Sequence, residues 1–125
     1  MNRCSALLLL LLASLTLSCG SGRKLQSIAI TQTVNGQQIQ FVATGKFSSA
    51  PTTVTPLPVM WGFGLDSPPP PHYTYTLTTE PFVVNCTTVG PQFLPVSALA
   101  PIDPSGPVSG TTTKVVIAYM AYTCS

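Results

Sequence analysis

Charged side chains are scarce in this 125-residue chain, where Asp, Glu, Lys and Arg together make up only 6% of the residues. The few cations are scattered, whereas a protein that binds nucleic acid needs a basic patch to neutralise phosphates. The composition therefore argues against a nucleic-acid partner. Uncharged polar residues must supply most of the polar surface, and the low charge gives weak protection against self-association.

Residues that carry out chemistry are equally few. His72 is the only histidine, and the acidic side chains are limited to Asp66, Glu80 and Asp103. Nucleophilic catalysis needs a base beside a nucleophile, so an enzyme would require His72 within hydrogen-bonding reach of Ser, Asp or Glu. A solvated loop position explains His72 better, and turn formation explains Asp66 and Asp103. We expect a non-enzymatic protein with no catalytic residue and no cofactor.

The N-terminal residues 1–18 have the three parts of an export signal. Arg3 provides the positive start, Ala6–Ala13 contains six consecutive leucines, and small residues follow. The apolar stretch from Ala6 to Leu17 covers about a dozen residues, whereas a helix that crosses a membrane needs roughly 20. The stretch is therefore interpreted as the apolar region of a signal rather than as a membrane anchor.

The end of this signal, Leu15-Thr16-Leu17-Ser18-Cys19-Gly20, resembles the processing site of a bacterial lipoprotein. The resemblance implies that Cys19 becomes the lipidated first residue and that residues 19–24 form a short tether to membrane lipid. It implies an exported protein on the cell envelope, and Gly20 favours the outer membrane where the host has two. The alternative is an ordinary secretory signal that is cut near Ser18–Gly20.

Two cysteines, Cys86 and Cys124, remain downstream of Cys19. An exported protein meets oxidising conditions, in which a pair of thiols usually forms a disulfide. Such a bond would close a loop of about 39 residues and stabilise the fold by roughly 4 kcal/mol. The alternative is two free buried thiols. Two cysteines and one histidine lack the ligand spacing of a metal site.

From Leu25 onward the apolar residues recur with a period of two, which is typical of β-strands. Ile39, Phe41 and Ala43, for example, are predicted to face inward from a half-buried strand. The predicted strands lie around Ile28–Ile30, Gln38–Thr44, Val59–Phe63, Tyr73–Thr78, Phe82–Cys86, Pro91–Ala100 and Lys114–Cys124. We expect a turn at Asn35-Gly36, an end to the second strand at Gly45, and a central position for the apolar last strand. Thirteen prolines interrupt any helical pattern. Residues 25–125 are therefore predicted to form one antiparallel β-sandwich of about seven strands.

The first half of this region contains four features in a characteristic order: Ser27-Ile28-Ala29-Ile30, Gly36, Gln38-Ile39-Gln40-Phe41-Val42-Ala43-Thr44-Gly45-Lys46-Phe47-Ser48 and Trp61. In this order and spacing they resemble the first half of a bacterial immunoglobulin-like domain of the group 2 type. The resemblance covers about 40 residues, Leu25–Gly64, and implies an Ig-like sandwich. Periodicity and resemblance both favour a core position for Trp61, the alternative being a surface aromatic residue that contacts a ligand. The second half departs from the family through its proline run and its two cysteines.

Two functions agree with these patterns. The first is a lipid-anchored surface module for adhesion, interaction or envelope structure, with a protein or glycan partner. The second is an envelope-attached ligand- or glycan-binding protein, which requires His72, Tyr73 and Tyr75 to form one exposed patch. The run Pro68–Pro71 is interpreted as a stiff loop rather than as a docking segment for an aromatic groove.

Overall fold

The structure is a computed structural model that describes residues 22–65 and 73–125. Over these two ranges the chain contains β-strands and no helix. The strands are β1 Leu25–Asn35, β2 Gln38–Phe47, β3 Thr53–Val54, β4 Met60–Phe63, β5 Tyr73–Thr76, β6 Phe82–Asn85, β7 Gly90–Pro91, β8 Val96–Pro101, β9 Ser109–Thr112, β10 Val115–Met120 and β11 Thr123–Cys124. Every pairing between these strands is antiparallel, and the fold is an all-β sandwich, as predicted.

The first sheet is organised around β2. One edge of β2 pairs with β1 along its whole length, and the other edge pairs with β6 and then with β3. The β1–β2 hairpin closes with Asn35 opposite Gln38, so that Gly36 and Gln37 form a two-residue turn. Gly36 has φ +62°, a conformation that glycine adopts without steric strain. The turn predicted at Asn35-Gly36 is therefore confirmed.

The second sheet has the order β10-β8-β4, with β8 in the centre. All six residues of β8 are buried. The prediction that the last strand is central is wrong, because β10 pairs only with β8 and its residues are at most partly buried. The apolar run at Lys114–Cys124 is also two strands, since β10 ends at Met120 and β11 pairs separately with β7. Pro95 directly precedes β8, where its missing N–H interrupts no pairing.

Two shorter corrections concern the connections. β2 does not end at Gly45 but continues to Phe47, and Gly45 lies opposite Val54 of β3. Gly45 is buried within this strand. Because glycine has no side chain, Leu57 packs directly over its backbone. The stretch between the predicted strands Pro91–Ala100 and Lys114–Cys124 is not all connection, because it contains β9, which pairs with β5.

The core lies between the two sheets and consists of two clusters. The first contains Leu25, Ala43, Phe47, Leu57, Val59, Ala98 and Ala100, and the second contains Ile39, Phe41, Val96, Tyr122 and Cys124. Each cluster joins side chains of β2 to side chains of β8, which confirms the inward direction predicted for Ile39, Phe41 and Ala43. Trp61 is partly buried and packs against both clusters, as expected for a core residue.

The sandwich has two distinct ends. At the end called proximal here, Leu25 lies opposite Phe47 and donates a backbone hydrogen bond to Ile102. At the distal end lie the β1–β2 turn and the start of β8. The 11 residues of β1 connect the two ends, a span of about 36 Å at the rise of an extended strand.

Candidate functional site

The disulfide between Cys86 and Cys124 is present, with a Cα–Cα distance of 5.6 Å, so this prediction is confirmed. It lies at the distal end. The backbone N–H of Cys86 donates to Gln37 of the hairpin turn, and Cys124 pairs with Gly90 of β7. The bond therefore ties the end of β6 to the last strand of the chain and to β7.

Several predicted features lie outside the described residues. These are the signal at 1–18, Cys19 with the first part of its tether, Asp66, His72 and the run Pro68–Pro71. Lipidation of Cys19 therefore stays a prediction.

The described end of the tether is held against the proximal end of the sandwich. Nη2 of Arg23 donates to the carbonyl oxygen of Pro51 at 2.7 Å, and the guanidinium carbon lies 3.7 Å from the centre of the Phe47 ring. The backbone N–H of Lys24 donates to Oγ of Ser48 at 2.9 Å. Arg23 and Lys24, assigned to the tether from the sequence, thus pack as part of the domain.

Asp103 has the turn-forming role that the sequence predicts. Its Oδ1 accepts hydrogen bonds from the backbone N–H and the hydroxyl of Ser105, at 3.0 and 2.7 Å. Its Oδ2 lies 3.8 Å from Nζ of Lys24. The hydrogen bonds from Ser105, more than the charge of Lys24, lower the pKa of this carboxyl below its usual value. Because both oxygens are engaged in this way, the geometry shows no sign of an acid or base aimed at a substrate.

Two cavities open at the proximal end. The smaller, of about 210 Å³, is mainly apolar and lies between Phe47, Leu57, Leu77 and Ala100, with Arg23 at its side. The larger, of about 570 Å³, has more polar walls and is lined by Lys24, Tyr75, Ile102, Asp103, Ser105 and Lys114, among others.

The tyrosines of β5 do not form the exposed patch that the ligand-binding hypothesis requires. Tyr75 is only 5% exposed, and its hydroxyl packs beside Gly110 of β9. Tyr73 is partly buried, and His72 lies outside the described residues. Over the ranges 22–65 and 73–125, the exposed aromatic side chains are instead Phe63, Phe93 and Tyr119.

Exposed apolar side chains of the distal end lie in the loop between β7 and β8 and just before β7. Phe93 is 98% exposed, Val89 is 81% exposed and Leu94 is 49% exposed. Leu94 packs beside Gly64, the residue that follows the 44% exposed Phe63 of β4. We call Val89, Phe93, Leu94 and Phe63 the apolar tip.

The backbone under the apolar tip is held in place by hydrogen bonds. The amide N–H of Gln92 donates to the carbonyl oxygen of Tyr122 at 3.0 Å, beside the β7–β11 pair. The side-chain nitrogen of Gln92 donates to the carbonyl oxygens of Thr88 and Gly90, each at 3.0 Å. These hydrogen bonds fix the backbone of the loop beside Tyr122, while the side chain of Phe93 points away from the core.

The sequence interpretation missed the apolar tip because it assigned Pro91–Ala100 to a single strand. The signal that could have revealed it is the placement of Phe93-Leu94 between Gly90-Pro91 and Pro95, since these turn residues limit strand pairing. Within Pro91–Ala100, the long strand β8 begins only at Val96.

Charged side chains are segregated from the apolar tip. The six that the structure describes are Arg23, Lys24, Lys46, Glu80, Asp103 and Lys114. Five lie at the proximal end, and Glu80 lies midway, where its carbonyl oxygen accepts a hydrogen bond from Nε1 of Trp61. The described part of the distal end thus carries no charged side chain.

Searches of the two described ranges found no helix long and apolar enough to cross a membrane, and no group of three or more His, Cys, Asp or Glu residues suited to a metal ion.

Comparison of the chain with family models, with curated proteins and with solved structures found no match.

Proposed function

We propose that this chain is a non-enzymatic protein of the bacterial cell envelope, held by lipid on Cys19, whose Ig-like domain serves surface adhesion, interaction or envelope structure. One observation carries the proposal. Arg23 and Lys24, which follow Cys19 closely in the chain, pack at the proximal end, whereas an uncharged apolar tip is presented at the opposite end. An anchor at one end and an exposed apolar patch at the other suit a surface module, because such patches mark interaction sites.

The strand pairing supports an Ig-like arrangement. Ig domains place their first, second and fifth strands in one sheet and their third, sixth and seventh in the other. Here β1, β2 and β6 share one sheet, while β4, β8 and β10 share the other. β4 carries Trp61, and β1 lies alongside β10. The domain differs from the common pattern in that β5 pairs with β9 and in that the disulfide joins the end of β6 to β11 rather than the second strand to the sixth.

The position of Arg23 supports attachment through Cys19. Only residues 20–22 separate the two, so a lipid on Cys19 would lie no more than about 14 Å from Arg23, given about 3.6 Å per residue. The proximal end would then face the membrane. Of the charged side chains that the structure describes, it carries Arg23, Lys24, Lys46 and Lys114 against the carboxylate of Asp103, and a net positive surface is attracted to anionic lipid.

The test is the N-terminus of the exported protein. Intact-mass spectrometry of the protein from the membrane fraction should show a chain that begins at acylated Cys19. The Cys19→Ser variant should lack the acyl mass and fail to anchor. The matched control is Cys4→Ser, which alters the cysteine before the apolar run and should change neither readout. A wild-type chain that begins at any other residue, or that carries no acyl group, would overturn the proposed anchor.

The ligand- or glycan-binding alternative has less support. Tyr75, one of its two tyrosines, is buried. Of the exposed aromatic residues, Tyr119 donates its hydroxyl to the carbonyl oxygen of Leu65, and Phe63 and Phe93 have no polar group with which to orient a sugar.

A further inference from the structure

Tyr75 carries a hydroxyl that the domain itself does not use. The side chain is only 5% exposed, and its hydroxyl has no hydrogen-bond partner among residues 22–65 and 73–125, although the hydroxyl of a buried tyrosine usually finds one. Every described side-chain oxygen that solvent cannot reach has a partner. The Tyr75 oxygen therefore stays in contact with solvent through the larger of the two proximal cavities, which Tyr75 helps to line. It is available to a ligand in that cavity.

Two glycines leave room for this hydroxyl. A Cβ on Gly110 would stand 3.0 Å from the Tyr75 oxygen, and a Cβ on Gly106 would stand 3.6 Å from it. Neither glycine has a positive φ, so the backbone conformation requires neither of them. Gly106 lines both proximal cavities. The hydroxyl therefore lies close to the place where the two cavities meet.

The two cavities adjoin, because both are lined by Pro101, Asp103 and Gly106. The smaller has mainly apolar walls, which include the buried side chains of Leu57 and Ala100. Its volume is about 210 Å³. This volume accommodates a hydrocarbon chain of about seven carbons, since a methylene group takes up about as much space as a water molecule, roughly 30 Å³. An apolar cavity of this order of size takes up apolar ligands.

The larger cavity carries one more positive charge than negative. Its charged side chains are Lys24, Asp103 and Lys114. Nζ of Lys24 lies 3.8 Å from Oδ2 of Asp103, whose Oδ1 is occupied by Ser105. The ammonium group of Lys114 forms no ion pair within the described ranges. Lys114 and Tyr75 thus both have hydrogen-bond donors to offer to a single anionic group.

From these features we infer that the two cavities together bind an amphiphile with one hydrocarbon chain and a carboxylate head, of the chemical class of medium-chain fatty acids. The chain lies in the apolar cavity, and the carboxylate accepts hydrogen bonds from Tyr75 and Lys114 in the polar one. Apolar walls with a few fixed polar groups are typical of small-molecule sites. The inference goes beyond the proposed function and does not depend on it, because the residues that form the site belong to the folded domain.

Sodium octanoate tests the site, because its alkyl chain matches the apolar cavity in length. Isothermal titration calorimetry uses the exported protein with Cys19→Ser, which needs no detergent that would compete for the cavity. We expect one octanoate per chain, bound roughly tenfold or more tightly than 1-octanol, which lacks the charge. Within the series of carboxylates, the affinity should rise about fourfold for each methylene up to octanoate and then level off. No binding of octanoate, or a rise that continues unchanged to dodecanoate, would overturn the inference.

Two substitutions with matched controls locate the carboxylate. Tyr75→Phe removes only the hydroxyl and should weaken octanoate binding about threefold to tenfold. Tyr119→Phe removes a hydroxyl that lines neither cavity and should leave the affinity unchanged. Lys114→Gln should weaken binding and reduce its dependence on salt, whereas Lys46→Gln, at the same end but outside both cavities, should change neither. Equal affinities for Tyr75→Phe and Tyr119→Phe would contradict a role for the buried hydroxyl and remove the proposed site.

The titration and the mass of the N-terminus test separate proposals. A chain that carries no acyl group but binds octanoate loses the proposed anchor and keeps the fatty-acid site. A lipidated Cys19 without octanoate binding leaves the anchor standing and removes only this inference. Tyr75→Phe should unfold at nearly the wild-type denaturant concentration, so that weaker binding reports the lost hydroxyl and not a lost fold.

Discussion

The methyl carbons of Leu57 lie 2.7 and 2.9 Å from the point where a Cβ on Gly45 would stand. Cδ1 of Leu25 is 3.1 Å from the same point. Gly45 sits in the middle of the proximal core, and the space above its backbone is filled by Leu57, which is 5% exposed. The glycine is therefore required for close packing across the strand and not for a turn, because its φ is not positive.

We expect Gly45→Ala to destabilise the fold by about 1–3 kcal/mol, the usual range for forcing an extra carbon into a packed core. Denaturant unfolding monitored by Trp61 fluorescence measures the change. The matched control is Gly106→Ala, since a Cβ there meets its nearest atom at an ordinary 3.6 Å and the backbone needs no positive φ. Equal midpoints for the two variants would contradict the packing account.

The second prediction compares one substitution at two phenylalanines. Phe41 is fully buried and meets the ring of Tyr122 edge to face, with a centroid distance of 5.5 Å. We expect Phe41→Ala to lower the free energy of unfolding by about 3–5 kcal/mol, because it leaves a cavity between the sheets. Phe93→Ala removes the same atoms from an exposed position and should change stability by less than about 0.5 kcal/mol. Thermal and denaturant unfolding of both variants check this difference.

The third prediction concerns the Cys86–Cys124 bond, whose ends are 38 residues apart. Replacing both cysteines by alanine should destabilise the domain by roughly 4 kcal/mol, because the unfolded chain regains the freedom that the closed loop removes. Wild-type protein treated with reductant should unfold at nearly the same denaturant concentration as the double variant. Reductant should leave the unfolding midpoint of the double variant unchanged. A shift in that midpoint would show that reductant acts on something other than the Cys86–Cys124 bond, and would contradict the prediction.

The fourth prediction is a pH dependence at Asp103. Its hydrogen bonds with Ser105 lower the pKa in the folded state below that in the unfolded state. The charged form therefore stabilises the fold above the unfolded-state pKa, and this contribution is lost as the pH falls through the folded-state pKa. Asp103→Asn keeps an acceptor for Ser105 but removes the charge. Wild type should be slightly more stable than this variant at pH 7, and the difference should shrink below about pH 4. Unfolding curves across this range test the sign.

The features that the sequence predicted correctly depend either on neighbouring residues or on a choice among very few possible pairings. Ile39, Phe41 and Ala43 point inward because successive side chains of a strand alternate between its faces. The turn at Asn35-Gly36 follows from the conformational freedom of glycine. Once Cys4 was assigned to the signal and Cys19 to lipidation, Cys86 and Cys124 were the two cysteines left to pair. Each of these inferences needs only neighbouring residues or a count.

The features that it predicted wrongly depend on residues far apart in the chain. β10 is apolar on both faces, which favoured a central position, yet β8 occupies the centre because it pairs with β4 on one side and with β10 on the other. A glycine within a strand pattern such as Gly45 can end the strand or make room for a neighbour. The choice depends on Leu57, twelve positions away. No local pattern contains that information.

The sequence by itself determined the all-β class, the inward face of β2 and the pairing of the only two cysteines beyond Cys19, because side-chain alternation, turn chemistry and cysteine number act locally or by count. Only the tertiary structure decided which strand is central, that Tyr75 is buried and that Phe93 is exposed. These are consequences of strand pairing across the whole chain, which sets what covers each side chain. Phe93 and Leu94 are exposed for this reason: they lie in the connection between β7 and β8, which the hydrogen bonds of Gln92 hold outside the sheet.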